Sequence, residues 1–237
     1  MINLEMQVNK TPAGLYIVTY GRKEAPLDVQ EAAFAANGLE IVSPAQFGFL
    51  RAQGPKGTFN PYSRTNADVV YDDRTNQVVI VPNEAISKQI SITNLVNAHR
   101  QCKEYIIPQD QRDLVYAMVD EMLRKGTAFT ASHGEIDIPI SEFGQVELTS
   151  SLFSDGNLGI KAQDYGDWQK EQGRASQSMY FDGANYAKSQ KGPYLNRLRV
   201  CGPDVGFGVV GNGRLLDCDS GAFGVRFEKT AEGGAKK

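Results

Sequence analysis

An α+β domain is predicted by three features of the 237-residue sequence. Strand patterns open the chain and close it. Helix patterns with identifiable starts and stops fall between residues 28 and 125. The C-terminal part consists of short apolar runs separated by turns rich in Gly, Asp and Asn.

Residues 14–20 are rich in β-branched and aromatic side chains, are bounded by Gly14 and Gly21, and read as a strand. Asp28 then opens a first helix. Its carboxylate can cap the free amides, and Glu31 stands three residues on, where a capping box wants a carboxylate. Ala32, Ala33, Ala35 and Ala36 favour a helix around Phe34, and Asn37-Gly38 supplies a left-handed stop. Residues 39–42 form a short extended link. Ser43, Pro44 and Gln46 start a second helix as N-cap, first-turn proline and capping-box partner, and Gly54-Pro55 ends it. A loop over 54–67 leads to a hairpin, in which 69–71 and 77–81 flank the five turn residues 72–76. A helix is expected over 94–105 and a clearer one over 110–125. In the latter, Val115, Met118, Val119, Met122 and Leu123 make one apolar stripe, stopped by Gly126. Residues 136–140 read as a strand, and Pro139 assigns it to a sheet edge. No long periodic segment is expected over 154–194. Short strands are expected at 198–200, 206–210, 214–216 and 225–227, and 230–237 as a disordered tail.

Charge narrows the function classes. Lys and Arg number 25 against 28 Asp and Glu, a net charge of −3, and residues 1–108 carry ten of each sign. Neither half has the basic excess of a general nucleic-acid backbone binder. No apolar run approaches the ~20 residues that span a bilayer. The first residues show no positive region followed by an apolar stretch. The expectation is a chain without membrane insertion, cytoplasmic or virion-associated. Cys102, Cys201 and Cys218 are an odd set and cannot all pair within the chain. Three ordinary thiols and a Cys201–Cys218 bridge across a hairpin both remain open.

Motifs that carry chemistry are scarce. His99 and His133 have no partners at metal-site spacing. Gly206, Gly208, Gly211 and Gly213 superficially outline a phosphate cradle, but no helix follows to present its N-terminus. Asp72-Asp73 reads as a solvated hairpin tip. Asp164 and Asp167, with Tyr165 and the sole tryptophan, Trp168, make either a weak cation site or a packed corner. No catalytic residue, metal ligand or cofactor is assigned.

Two separated segments together resemble the C-type lectin-like fold, including its formylglycine-generating-enzyme-like branch. The first, residues 30–52, is an alanine-rich helix with an Asn-Gly stop, an extended link and a capped second helix. The second comprises 194–200, 209–215 and 222–227. There Gly224-Val225-Arg226-Phe227 is similar to the Gly-Φ-Arg-Φ strand (Φ apolar) that commonly closes such domains. The resemblance implies one domain over 1–229, with two helices near the N-terminus, a helical insertion at about 84–126 and C-terminal antiparallel hairpins. The calcium-dependent sugar motifs and four-cysteine pattern of true C-type lectins are not evident. Cys201 and Cys218 do not match the paired active cysteines of the formylglycine-generating enzymes.

The branch that fits better is that of the variable proteins of diversity-generating retroelements, which display randomised residues on a stable scaffold. The resemblance implies a variable region at about 195–222. Leu198, Val200, Val209, Leu215 and Val225 would pack inward. Arg197, Cys201, Val205, Phe207, Asn212, Arg214, Asp217, Cys218 and Asp219 would face out, with Tyr194 beside them. Adenine mutagenesis of asparagine codons yields such a mixture. The implied function is non-enzymatic display toward a macromolecular ligand, a protein rather than a nucleic acid. Phe207 and Tyr194 would be anchors, and Arg197 and Arg214 would pair with acidic groups. The alternatives are a formylglycine-generating-type or other small enzyme, and a viral structural protein.

Overall fold

The computed structural model of the chain describes residues 2–90, 93–94, 96–97, 105–181, 192–201, 209–210 and 221–230. A twelve-stranded mixed sheet organises them. Its main path runs β1 (Glu5–Thr11), β2 (Gly14–Glu24), β12 (Gly221–Lys229), β4 (Ser63–Asp72), β10 (Tyr194–Val200), β11 (Val209–Val210), β9 (Ser176–Phe181) and β8 (Gly134–Pro139). Off that path, β3 (Glu40–Ile41) pairs with β12, β5 (Gln77–Val81) with β4 and β7 (Phe129–Ala131), and β6 (Tyr105–Ile106) with β10. The pairings are antiparallel except β12 with β4 and β11 with β9, which are parallel.

Side chains alternate across a strand, so a strand buried on both faces feeds two cores. Val69 and Val70 on β4, Leu198 and Leu195 on β10, and Phe223 and Ala222 on β12 each divide in this way. The first core holds Phe47, Phe49 and Leu50 of α2 (Pro44–Gln53). It also takes Leu148, Leu152 and Phe153 of α4 (Glu147–Phe153), and Ala162 and Tyr165 of α5 (Ala162–Glu171). The second core holds Leu27 and Phe34 of α1 (Leu27–Ala35) and Val115 and Val119 of α3 (Gln109–Lys125). The molecule is therefore a mixed α+β sheet structure with helices on both faces. Among the described residues, no helix is long and apolar enough to cross a membrane.

Where local chemistry decides an element, expectation and structure agree. Ser43 Oγ accepts from the Gln46 amide at 3.1 Å, and the Ser43 amide donates to Gln46 Oε1 at 3.1 Å, which completes the capping box of α2. Gly38 and Gly126 stop α1 and α3 with φ of 64° and 68°. In α3 the stripe meets the second core, with Val115 and Val119 buried and Met118, Met122 and Leu123 packed against it. Pro139 ends β8, an edge strand of the sheet.

Where packing decides, the structure differs. Helix α1 begins at Leu27 with Pro26 as its N-cap and no side-chain cap. Leu27 is fully buried and sets the start, leaving Asp28 in the first turn, where its carboxylate accepts from the Val29 amide. The hairpin turn has four residues, because Asp72 pairs with Gln77. Residues 93–94 and 96–97 are helical, but Tyr105 is a buried strand residue paired with Leu195. The region 154–194 contains a helix, α5, and a strand, β9, that its composition did not announce. The expected insertion at 84–126 supplies α3 to the second core. The expected strand at 214–216 and residues 231–237 of the tail lie outside the described residues. Thr230 is held by its amide on the Leu15 carbonyl, at 2.9 Å.

Candidate functional site

The stretch 201–221 leaves and re-enters the middle of the sheet. Val200, at its start, pairs with Ser63 on one side and Val209 on the other. Val209 also pairs with Met179. At its end, the Phe223 amide donates to Ser63 Oγ at 3.1 Å, and Ala222 pairs with Arg64. Leu198, Val200, Val209 and Val225, all expected to face inward, are buried. Leu215 lies outside the described residues.

Of the residues expected on the displayed surface, Val205, Phe207, Asn212, Arg214, Asp217, Cys218 and Asp219 also lie outside the described residues. Tyr194 and Arg197 are not surface residues, each being 1 % exposed. Tyr194 packs on Tyr71, ring centroids 6.3 Å apart, in a small satellite core. Arg197 sits in the second face of the sheet. Its Nε lies 3.2 Å from Asp68 Oδ1, and its Nη2 donates to Glu31 Oε1 at 2.9 Å and Ser87 Oγ at 2.8 Å. The amides of Ile86 and Ser87 donate to the other oxygen of Asp68, at 3.0 and 2.9 Å. The physical reason for both corrections is the same: β10 is central and covered on both faces, so neither side of it is open to solvent. Cys201 is a half-buried free thiol, and burial pushes its pKa up, which disfavours a reactive thiolate.

Arg51, which the sequence did not single out, fixes the start of the 201–221 stretch. Its Nη1 donates to the Cys201 carbonyl at 2.9 Å and to the Tyr165 hydroxyl at 3.0 Å. Its Nε donates to the Phe59 carbonyl at 2.8 Å, and its guanidinium lies 4.4 Å from the centroid of the Phe47 ring. One buried cation thus joins α2, α5 and the end of β10. Burial raises the Tyr165 phenol, so the hydroxyl stays protonated beside Arg51.

On the far side of Tyr165 lies a cleft of about 530 Å³, lined by the β1–β2 turn, α2 and α5. Phe49, Tyr165 and Trp168 give it an aromatic wall. Tyr165 is stacked between Phe153 at 5.1 Å and Trp168 at 5.6 Å, with interplanar angles of 18° and 14°. Asp164, Asp167 and Glu171 line the cleft from α5, and Lys10 lines it from β1. The pairing of Asp164, Asp167, Tyr165 and Trp168 seen in the sequence is therefore a packed corner on its aromatic side and a cleft wall on its acidic side. Among the described residues, no three His, Cys, Asp or Glu side chains form a group that could hold a metal. His133 serves the hairpin, its Nε2 donating to the Asn76 carbonyl at 2.8 Å. His99 lies outside the described residues. No family model, no curated protein and no solved structure matches the chain.

Proposed function

We propose that this chain is a ligand-binding display domain of C-type lectin-like fold, similar to the variable proteins of diversity-generating retroelements. It presents residues of the 201–221 stretch to a protein ligand. The observation that carries this reading is the anchoring of that stretch at Val200, Val209 and Phe223, all buried in the sheet. A stretch held at both ends and in the middle can change its intervening residues without disturbing the core, and it loses less entropy when it binds. The order of elements supports the fold: β2, α1, the short β3 and the capped α2 follow one another as the resemblance requires. The Gly-Val-Arg-Phe segment lies in β12, the closing strand, beside β2. Phe207 and Arg214 belong to residue types enriched at protein interfaces.

Sequencing the locus across a population of the source tests the proposal. Substitutions are expected to concentrate at Val205, Phe207, Asn212, Arg214, Asp217 and Asp219. Val200, Val209, Phe223, Tyr194 and Arg197 are expected to stay fixed. Variation spread evenly along the chain, or concentrated at Arg197, would overturn it.

A further inference from the structure

We propose a second, fixed binding site: the cleft between α2, α5 and the β1–β2 turn takes an organic cation, a guanidinium or primary ammonium group on an apolar stem. The cleft, at about 530 Å³, falls within the ~300–1,000 Å³ of small-ligand sites. Its apolar lining is built rather than incidental. Pro12, Phe49 and Ile160 line it, and the stacked Phe153–Tyr165–Trp168 rings hold its aromatic wall in one geometry before anything binds.

The charges then select the ligand. Asp164, Asp167 and Glu171 fall at i, i+3 and i+7 along α5, all on the cleft, against the single cation Lys10. None of these four side chains is in a salt bridge within the described residues. Asp164 Oδ2 accepts from the Lys161 amide at 3.3 Å and Asp167 Oδ1 from Gln163 Nε2 at 2.8 Å. These neutral donors leave both charges in place, and like charges three and four residues apart on a helix repel. Such a local conflict, sited on a preformed cavity, is what a bound cation relieves. The aromatic wall adds attraction for a cation, and the carboxylates repel an anion.

Trp168 is the sole tryptophan, so its fluorescence reports on this cleft alone. The full chain is titrated with agmatine, with a Gly-Arg-Gly peptide, and with the Gly-citrulline-Gly peptide, a neutral isostere. A saturable change is expected with both cations, and binding about tenfold weaker or worse with citrulline. The double variant Asp167→Asn, Glu171→Gln is expected to weaken the cations about tenfold at unchanged far-UV circular dichroism, and Lys10→Ala to leave or improve them. Tighter binding of the peptide than of agmatine assigns the site to an arginine of a partner protein, and the reverse order to a free small cation. No saturable change, or equal binding of citrulline and arginine peptides by the native chain, overturns the proposal. The population test of residues 201–221 is unaffected by either result.

Discussion

Arg197 carries its charge at a position 1 % exposed, facing Asp68, which is fully buried. Asp68 is held by two backbone amides, so it cannot leave if the guanidinium is removed. Arg197→Met therefore strands a carboxylate, and breaking one side of a buried pair costs about 3–5 kcal/mol. Urea denaturation of the variant measures this. A change below about 0.5 kcal/mol is what a surface position would give, and it would mean that Arg197 is not part of the interior. The same residue shows why the displayed surface could not be delimited from the sequence. An Arg-Leu-Arg alternation looks like a strand with one wet face. It is read correctly only once the face of β10 that carries Arg197 is known to be covered, and its partners there, Glu31 and Ser87, lie 166 and 110 residues away in the chain. Arg51 was illegible for a similar reason, because its partners Tyr165 and Cys201 are distant in sequence.

Helices α2 and α5 meet through a glycine. A Cβ on Gly48 would lie 3.0 Å from Tyr165 Cγ and 3.2 Å from Phe153 Cδ1. Glycine inside a helix ordinarily costs roughly 0.5–1 kcal/mol relative to alanine, so Gly48→Ala has a propensity gain on offer. The Tyr165 ring cannot yield to it, being stacked on both faces and tied through its hydroxyl to Arg51. Overpacking of this kind costs about 1–3 kcal/mol, so a net loss of about 1–2 kcal/mol is expected in urea denaturation. A gain in stability would show instead that the ring ladder, and with it the wall of the cleft, is yielding. This contact also separates what was legible from what was not. The start of α2 is written in Ser43, Pro44 and Gln46, which act on their own backbone and need no tertiary partner. Helix α5 contains Asp164, Gly166 and Asp167, poor helix formers, and of its buried positions Ala162, Tyr165, Gly166 and Gln169 only Tyr165 carries a large apolar body. It is held by packing: a Cβ on Gly166 would lie 3.0 Å from Phe143 Cβ. The cleft inherits that illegibility, because its lining comes from residues 10–12, 49–53 and 160–171. Only the company of Trp168 and its acidic neighbours hinted at it.

The two cores share one sheet, and the sheet is not complete until its last described strand is in place. Strand β12 inserts between β2 and β4, pairing residues 221–229 with 16–24, and delivers Ala222 to one core and Phe223 and Val225 to the other. Neither core can be lost while the other keeps its strands, so the molecule should unfold as one unit. Phe34 tests this from one side. It is fully buried in the second core beneath Gly224, where an added Cβ would collide with its ring. Phe34→Ala should cost about 3–5 kcal/mol. Trp168 packs against the first core, and Phe34 belongs to the second, on the opposite face of the sheet. In urea, the midpoint followed by Trp168 fluorescence should nonetheless fall as far as the midpoint followed by far-UV circular dichroism. If the Trp168 midpoint stayed at its native value while the dichroism shifted, the two faces would be separate cooperative units. β4, β10 and β12 would then not couple them. Coincident shifts would mean that a change at the floor of α1 is felt, through shared strands alone, at the cleft and at the anchors of residues 201–221.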